Sequence, residues 1–148
     1  MGIEENNKEL IRHLHELYNQ HNIDAANEIY AEGCFGEGFT LEQNKQFDIM
    51  LQDAFPDAKW TILDMIAEGD KVAFINNVTG THTGGLYMGI PPTGKKIDCK
   101  NTRIVRIDDS KIIEWRGTAD FYNNMQQLGV IPTMREAIKA YKESHNLG

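Results

Sequence analysis

The sequence predicts an α+β fold in which helices pack on one face of a curved antiparallel sheet. Three observations predict it. Apolar residues recur at three- and four-residue steps in the first third of the chain, and from Trp60 the spacing changes to alternation. Clusters such as Glu68-Gly69-Asp70 and Asp108-Asp109-Ser110 then separate the alternating runs as hairpin turns do. A bent sheet closed by helices forms a cone with an internal pocket, so polar residues on inner strand faces become the residues of interest.

Each element follows from its own pattern. Leu10, Ile11, Leu14, Leu17 and Tyr18 form one stripe of a first helix over about 4–20. Asn22 and Asp24 offer caps for a short second helix carrying Ala25, Ala26, Ile29 and Tyr30, and Gly33, Gly36 and Gly38 break that pattern. A third helix over about 41–54 carries Leu41, Phe47, Met50 and Leu51, with Phe55 at its end, and Pro56 stops it. The strands are expected at about 59–67, 71–82, 95–107 and 111–120. Strand two places Val72, Phe74, Asn76, Val78, Gly80 and His82 on one face. Strand three does the same with Ile97, Cys99, Asn101, Arg103, Val105 and Ile107. Residues 83–94, rich in glycine and proline, connect them. Thr133 and Glu136 open a last helix over about 133–146 with a capping box. Its stripe of Met134, Ala137, Ile138 and Tyr141 needs a surface, either the chain's own sheet or a dimer interface.

Length and composition narrow the function classes. One domain over 1–148 is expected, because 148 residues without a repeat or linker suit a single core. The net charge of −7 is uneven: residues 1–57 hold 12 acidic and 3 basic side chains, residues 58–148 hold 10 and 12. That distribution lacks the basic stripe that nucleic-acid binding requires. It leaves small neutral or hydrophobic ligands and protein partners open. No apolar run reaches the ~20 residues of a membrane helix, and the acidic start lacks a secretory signal. Cys34 and Cys99 read as two reduced thiols, so a cytoplasmic protein is expected.

The histidines do not form a metal site by spacing. His13 and His15 point in different directions on one helix, and the expectation for His13, His15 and His145 is solvated surface. The strand faces carry more. Asn101 and Arg103 interrupt an apolar row, and a buried arginine calls for an acid on a neighbouring strand. Strand four offers Glu114 and Asp120, which share parity with Arg116 and Thr118, while strand two offers Asn76 and His82. Two readings stand at this point. Either these polar faces are solvated, or they converge in a mostly apolar small-molecule pocket. In a dry pocket Asp120 suits a general base; with Arg103 against it, the arginine suits an electrophile-stabilising role better. Phosphate-loop, nucleophile-elbow and dinucleotide motifs do not occur.

The runs Ala67-Glu-Gly-Asp-Lys-Val-Ala73, Gly80-Thr-His-Thr-Gly84, Gly89-Ile-Pro-Pro-Thr-Gly-Lys-Lys96, Lys111-Ile-Ile-Glu-Trp-Arg-Gly-Thr-Ala-Asp120 and Met125-Gln-Gln-Leu-Gly129 stand in one order along the chain. Together they resemble the SnoaL-like polyketide cyclase family. The likeness covers about residues 8–129. It implies the cone-shaped fold shared with nuclear transport factor 2, usually dimeric. It also implies ring closure by intramolecular aldol condensation of a polyketide ester, without metal or cofactor. Asp120 matches the family's strand-end acid/base, and His82 matches the histidine of the family's Gly-Thr-His-Thr-Gly run, placed either near the pocket mouth or in a loop-structural role. This chain departs from the pattern at Gly33–Gly38, which carries no histidine, at Trp115-Arg116, and at Asn76, where a bulkier residue is usual.

The expected function is therefore a cofactor-independent cyclase or isomerase acting on a carbonyl compound in an internal pocket. Asp120 is the expected acid/base and Arg103 the enolate stabiliser, with Asn76, Asn101, Tyr18, His82, Glu114 and Arg116 binding the substrate. Expected partners are a small molecule and a second copy of the chain, with no nucleic acid and no membrane. The alternatives are epoxide hydrolysis by an Asp-Arg-Asp arrangement, a non-catalytic binding module, and a protein-interaction domain.

Overall fold

The computed structural model describes residues 2–148 and has the expected α+β architecture. Helices α1 (Ile3–Asn19), α2 (Ile23–Asn27) and α3 (Leu41–Ala54) precede strands β1 (Lys59–Glu68), β2 (Lys71–Thr81), β3 (Lys96–Asp108) and β4 (Lys111–Ala119). Two further helices follow, α4 (Phe121–Gln127) and α5 (Met134–Ser144). The strands pair antiparallel in sequence order. No described helix is long and apolar enough to cross a membrane.

The core lies between α1, α3 and the inner sheet face, and strand alternation puts it there. On β2, Val72, Phe74, Asn76 and Val78 are all buried; on β3, so are Ile97, Cys99, Val105 and Ile107. Two irregularities bend the sheet, one at Leu63 between Ile62 and Asp64, the other at Ile113 opposite Arg106 and Ile107. An extra residue of this kind kinks its strand and increases the local twist. On β4 it also changes phase: Ile112 is buried, and the next inward residue is Trp115 rather than Glu114.

Caps fix the helices. Asn22 accepts from Ala25 N–H at the start of α2, and Thr40 with Gln43 forms a capping box on α3. Thr133 and Glu136 cap α5 as expected, yet no residue of that helix is buried and it does not pack on its own sheet. α4 was not foreseen. Its apolar stripe is short, Phe121, Met125 and the C-cap Leu128 at four- and three-residue steps, and only Asp120 separates it from β4.

The connection from β2 to β3 secures the end of α3. Gly84 and Gly85 N–H donate to the carbonyls of Ala54 and Asp53 at 3.1 and 3.0 Å, groups that a helix end leaves without partners. The approach is so close that a Cβ on Gly84 would stand 1.7 Å from the Asp53 oxygen. Gly84→Ala is therefore expected to lower unfolding stability by about 2–3 kcal/mol in urea titration. A change below about 0.5 kcal/mol would contradict this close packing.

Candidate functional site

A cavity of ≈ 120 Å³ opens between α1, α3 and the inner sheet face. Its walls follow from residue spacing. Leu14, His15 and Tyr18 share one face of α1, while Asn44, Phe47, Asp48 and Leu51 share one face of α3 at three- and four-residue steps. Inward positions of β2 and β3 supply Asn76, Asn101 and Arg103, and Trp115 comes from β4. Phe121 is the most exposed lining side chain, at 41%, and stands edge-on to Phe47.

One wall is a closed hydrogen-bond chain. Asn101 Nδ2 donates to Asn76 Oδ1 at 2.8 Å, so the other end of Asn76 carries the donor that meets His15 Nε2 at 2.7 Å. His15 Nδ1 then donates to the Ile11 carbonyl at 2.8 Å. This assignment satisfies every atom in the chain with a neutral imidazole, and burial pushes the His15 pKa down, in the same direction. The solvated-surface expectation for His15 is corrected, since it is only 5% exposed. Ile11, Leu14, His15 and Tyr18 follow the i, i+3, i+4, i+7 rule, so its inward position was readable.

The opposite wall carries an acid. Tyr30 Oη lies 2.8 Å from Tyr18 Oη, which donates to Asp48 Oδ2 at 3.1 Å; Asn44 Nδ2 donates to the same oxygen at 3.2 Å. Asp48 retains some surface, but it faces the cavity, so its carboxyl is poorly hydrated. Burial pushes its pKa up to about 7 against the opposing effect of both donors. The tyrosines are raised by burial too, which keeps them neutral donors.

Arg103 reaches the cavity from β3. Its guanidinium lies 5.3 Å from the Trp115 ring centroid. Among the described residues no carboxylate oxygen lies within 4.0 Å of it and no hydrogen-bond acceptor meets it. Burial lowers its pKa, with the tyrosines and Cys99 acting in the other direction. The expected acid partner on a neighbouring strand is thus replaced by an aromatic face. Cys99 also lines the cavity, its thiol pushed up to about 11 by burial, hence an un-ionised neighbour.

Four of the eight expected site residues meet here: Arg103, Asn76, Asn101 and Tyr18. The others lie elsewhere. Asp120 is exposed at the rim, between lining residues Ala119 and Phe121, and its carboxylate caps α4 by accepting from Asn123 N–H at 3.1 Å. Glu114 and Arg116 occupy the outer sheet face, paired at 2.8 Å, with Arg106 beside Glu114. His82 is fully buried in the β2–β3 connection, where its Nδ1 accepts from Thr93 N–H at 3.3 Å and its Nε2 donates to the Gly85 carbonyl at 3.0 Å. That is a loop-holding arrangement outside the cavity lining. Asp48, His15 and Tyr30 join the cavity without having been singled out as site residues.

This helix-closed sheet, with its inward polar rows, matches the SnoaL-like polyketide cyclase family over residues 8–128. The chain belongs to that family. Among solved structures, AclR, a putative hydroxylase from Streptomyces galilaeus, is 20% identical, with 97% of this chain and 93% of that one covered and a TM-score of 0.81. A putative SnoaL-like polyketide cyclase from Jannaschia sp. CCS1 is 24% identical, covering 89% and 97%, at 0.73. IdmH, a putative polyketide cyclase from Streptomyces antibioticus, is 26% identical, covering 84% and 99%, at 0.70. No curated protein matches. These likenesses assign the nuclear transport factor 2-like fold and the family; the chemistry rests on the cavity.

The acid's position carries a stability consequence. An unfolded aspartate ionises near ~3.9, whereas folded Asp48 ionises at about 7. Between those values the folded chain keeps a proton the unfolded chain has released. Stability therefore falls as pH rises through this window, by on the order of 4 kcal/mol in all. Asp48→Asn, which keeps an acceptor for Tyr18 and Asn44, is expected to match the parent near pH 4 and to exceed it near pH 8. Parallel stability curves for the two proteins, by urea titration across this range, would sink the assignment.

Proposed function

We propose that the protein is a cofactor-independent acid/base enzyme acting on a small carbonyl compound held in the cavity. One observation supports this most: a carboxylic acid with pKa about 7 and a guanidinium without a carboxylate partner line the same cavity. Asp48 in its ionised form takes a proton from the carbon beside a carbonyl. The charge that moves to the carbonyl oxygen is stabilised by Arg103. In an isomerase, Asp48 returns the proton to another atom. In a cyclase, the new carbanion attacks a second carbonyl of the same molecule, and the resulting alkoxide takes the proton back from Asp48. Either cycle balances without an oxidant, reductant or external acid.

Asp120 is the competing acid/base, on the strength of its motif. Asp48 is favoured by burial, by lining the cavity and by a pKa near the working range. Epoxide hydrolysis by an Asp-Arg-Asp arrangement is less well supported, because Asp48 is the one carboxylate among the described lining residues. The cavity is not filled by the chain's own aromatics, which weakens the interaction-domain reading. Two buried, separate thiols, Cys34 and Cys99, suit a cytoplasmic location.

A homodimer is part of the same proposal. The outer sheet face exposes Ile66 (67%), Ile75 (37%) and Ile104 (52%), an apolar patch suited to a second copy. Ile104→Lys is expected to shift the protein from dimer to monomer in light scattering after gel filtration, with its circular dichroism unchanged. A parent protein that is already monomeric would refute this.

The acid/base reading is tested by deuterium uptake beside the carbonyl of small enolisable ketones in D₂O, followed by NMR. Asp48→Asn should reduce the exchange rate by about 10²-fold or more. Asp120→Asn should leave it within a few-fold and change stability by less than about 0.5 kcal/mol, because asparagine keeps the cap acceptor for Asn123. In the parent, exchange should rise with pH and reach half its maximum near 7, as Asp48 ionises. The reverse pattern of the two variants would assign the role to Asp120.

A further inference from the structure

The cavity's volume and its unpartnered charge restrict what it holds. An apolar cavity of about 150 Å³ takes up a molecule the size of benzene, and drug-sized ligands occupy about 300–1,000 Å³. At ≈ 120 Å³ the enclosed part of this cavity is smaller than either, so it seats a short chain or the polar end of a ligand, with the mouth at Phe121. It cannot extend past its polar wall, because His15, Asn76 and Asn101 satisfy one another there. That wall has no charge to offer a ligand.

The remaining charge is Arg103. A half-buried guanidinium without an acceptor is costly, and Trp115 offsets this only in part. A carboxylate matches its planar fork with two parallel hydrogen bonds, whereas an ester offers no charge to match. A guanidinium has five N–H donors, so one arginine accommodates both a carboxylate and an adjacent enolate oxygen. Asp48 stands in the same cavity as the acid/base of the reading above, on which this step rests.

We infer that the substrate is a short oxo acid, bound through its free carboxylate to Arg103, rather than an ester. The class is fixed by the arginine. The neighbouring apolar residues Leu14, Phe47 and Leu51 would cover the chain between carboxylate and ketone.

The probe pair is 4-oxopentanoate and its methyl ester, which differ in charge and hardly in shape. Isothermal titration with the parent protein should show the acid binding about tenfold or more tightly than the ester. Arg103→Met should abolish this preference, and Arg103→Lys should retain part of it, with folding of both checked by circular dichroism. The parent comparison alone stands if either variant fails to fold. An ester that binds as well as the acid, or binding of neither at about 10 mM, would overturn the inference. Asp48→Asn separates it from the acid/base reading: that variant should keep the preference for the acid while losing deuterium uptake into 4-oxopentanoate. Lost exchange without a charge preference would sink only the substrate class. A preserved charge preference with undiminished exchange in Asp48→Asn would sink only the role of Asp48.

Discussion

The cavity depends on a chain of three polar side chains, two buried and one half-buried, that ties the helical layer to the sheet. Asn101 on β3 donates to Asn76 on β2, Asn76 donates to His15 on α1, and His15 donates to the backbone of its own helix. Each group would be costly to bury alone, because desolvated donors and acceptors lose water without replacement. Together they are satisfied in one arrangement only. A slip of β2 by one residue would turn Asn76 outward and leave the imidazole nitrogen unmet. The chain therefore sets which residues of β2 and β3 face α1. Arg103, two positions beyond Asn101 on the same face, is aimed into the cavity as a consequence.

With that register set, the two ionisable groups of the cavity are kept apart. Direct pairing of Asp48 with Arg103 would hold the carboxyl below its ordinary range and occupy the guanidinium. Instead Asp48 takes neutral donors, Tyr18 and Asn44, while Arg103 takes an aromatic face. Neutral donors lower an acid's pKa less than a full positive charge does, so burial prevails. Both groups are then held in states that cost stability, the pattern expected where function rather than stability selects the residues. The ion pairs elsewhere differ in kind: Arg106 with Asp70 and Glu114 lies on the outer face, where such pairs contribute little.

Most of the fold was legible because its signals are local and repeated. Strict alternation placed the inward residues of β2 and β3 from Val72 to Val78 and from Ile97 to Ile107 correctly. It failed only at His82, beyond the end of β2, and Pro56 marked the end of α3. The site was legible only where a strand kept its phase. β4 did not. The extra residue at Ile113 makes Trp115 inward and sends Glu114 and Arg116 outward, and no residue type in that run announces a bulge. Asp48 is a different omission. It lies seven residues from Leu41 and three from Leu51, within the stripe that defined α3, and an acid in an apolar stripe is itself a signal. His15 carried the same signal on α1.

The bulge also explains why a motif does not transfer its chemistry automatically. Asp120 follows a strand whose phase depends on one inserted residue, and it precedes a helix whose first turn leaves N–H groups to satisfy. In this chain its carboxylate answers the helix, accepting from Asn123. The same bulge brings Trp115 inward, and Trp115 is what lets Arg103 remain in the cavity without an acid beside it. One backbone irregularity thus withdraws one candidate group to the rim and supports another within. The charge imbalance between the acidic first part of the chain and the remainder has little bearing on this site. Its acids are mostly exposed on helices, whereas one acid and one arginine, opposite in sign, line the cavity. With Asp48 half-neutral near pH 7, the cavity's own balance is positive, although the protein as a whole is acidic.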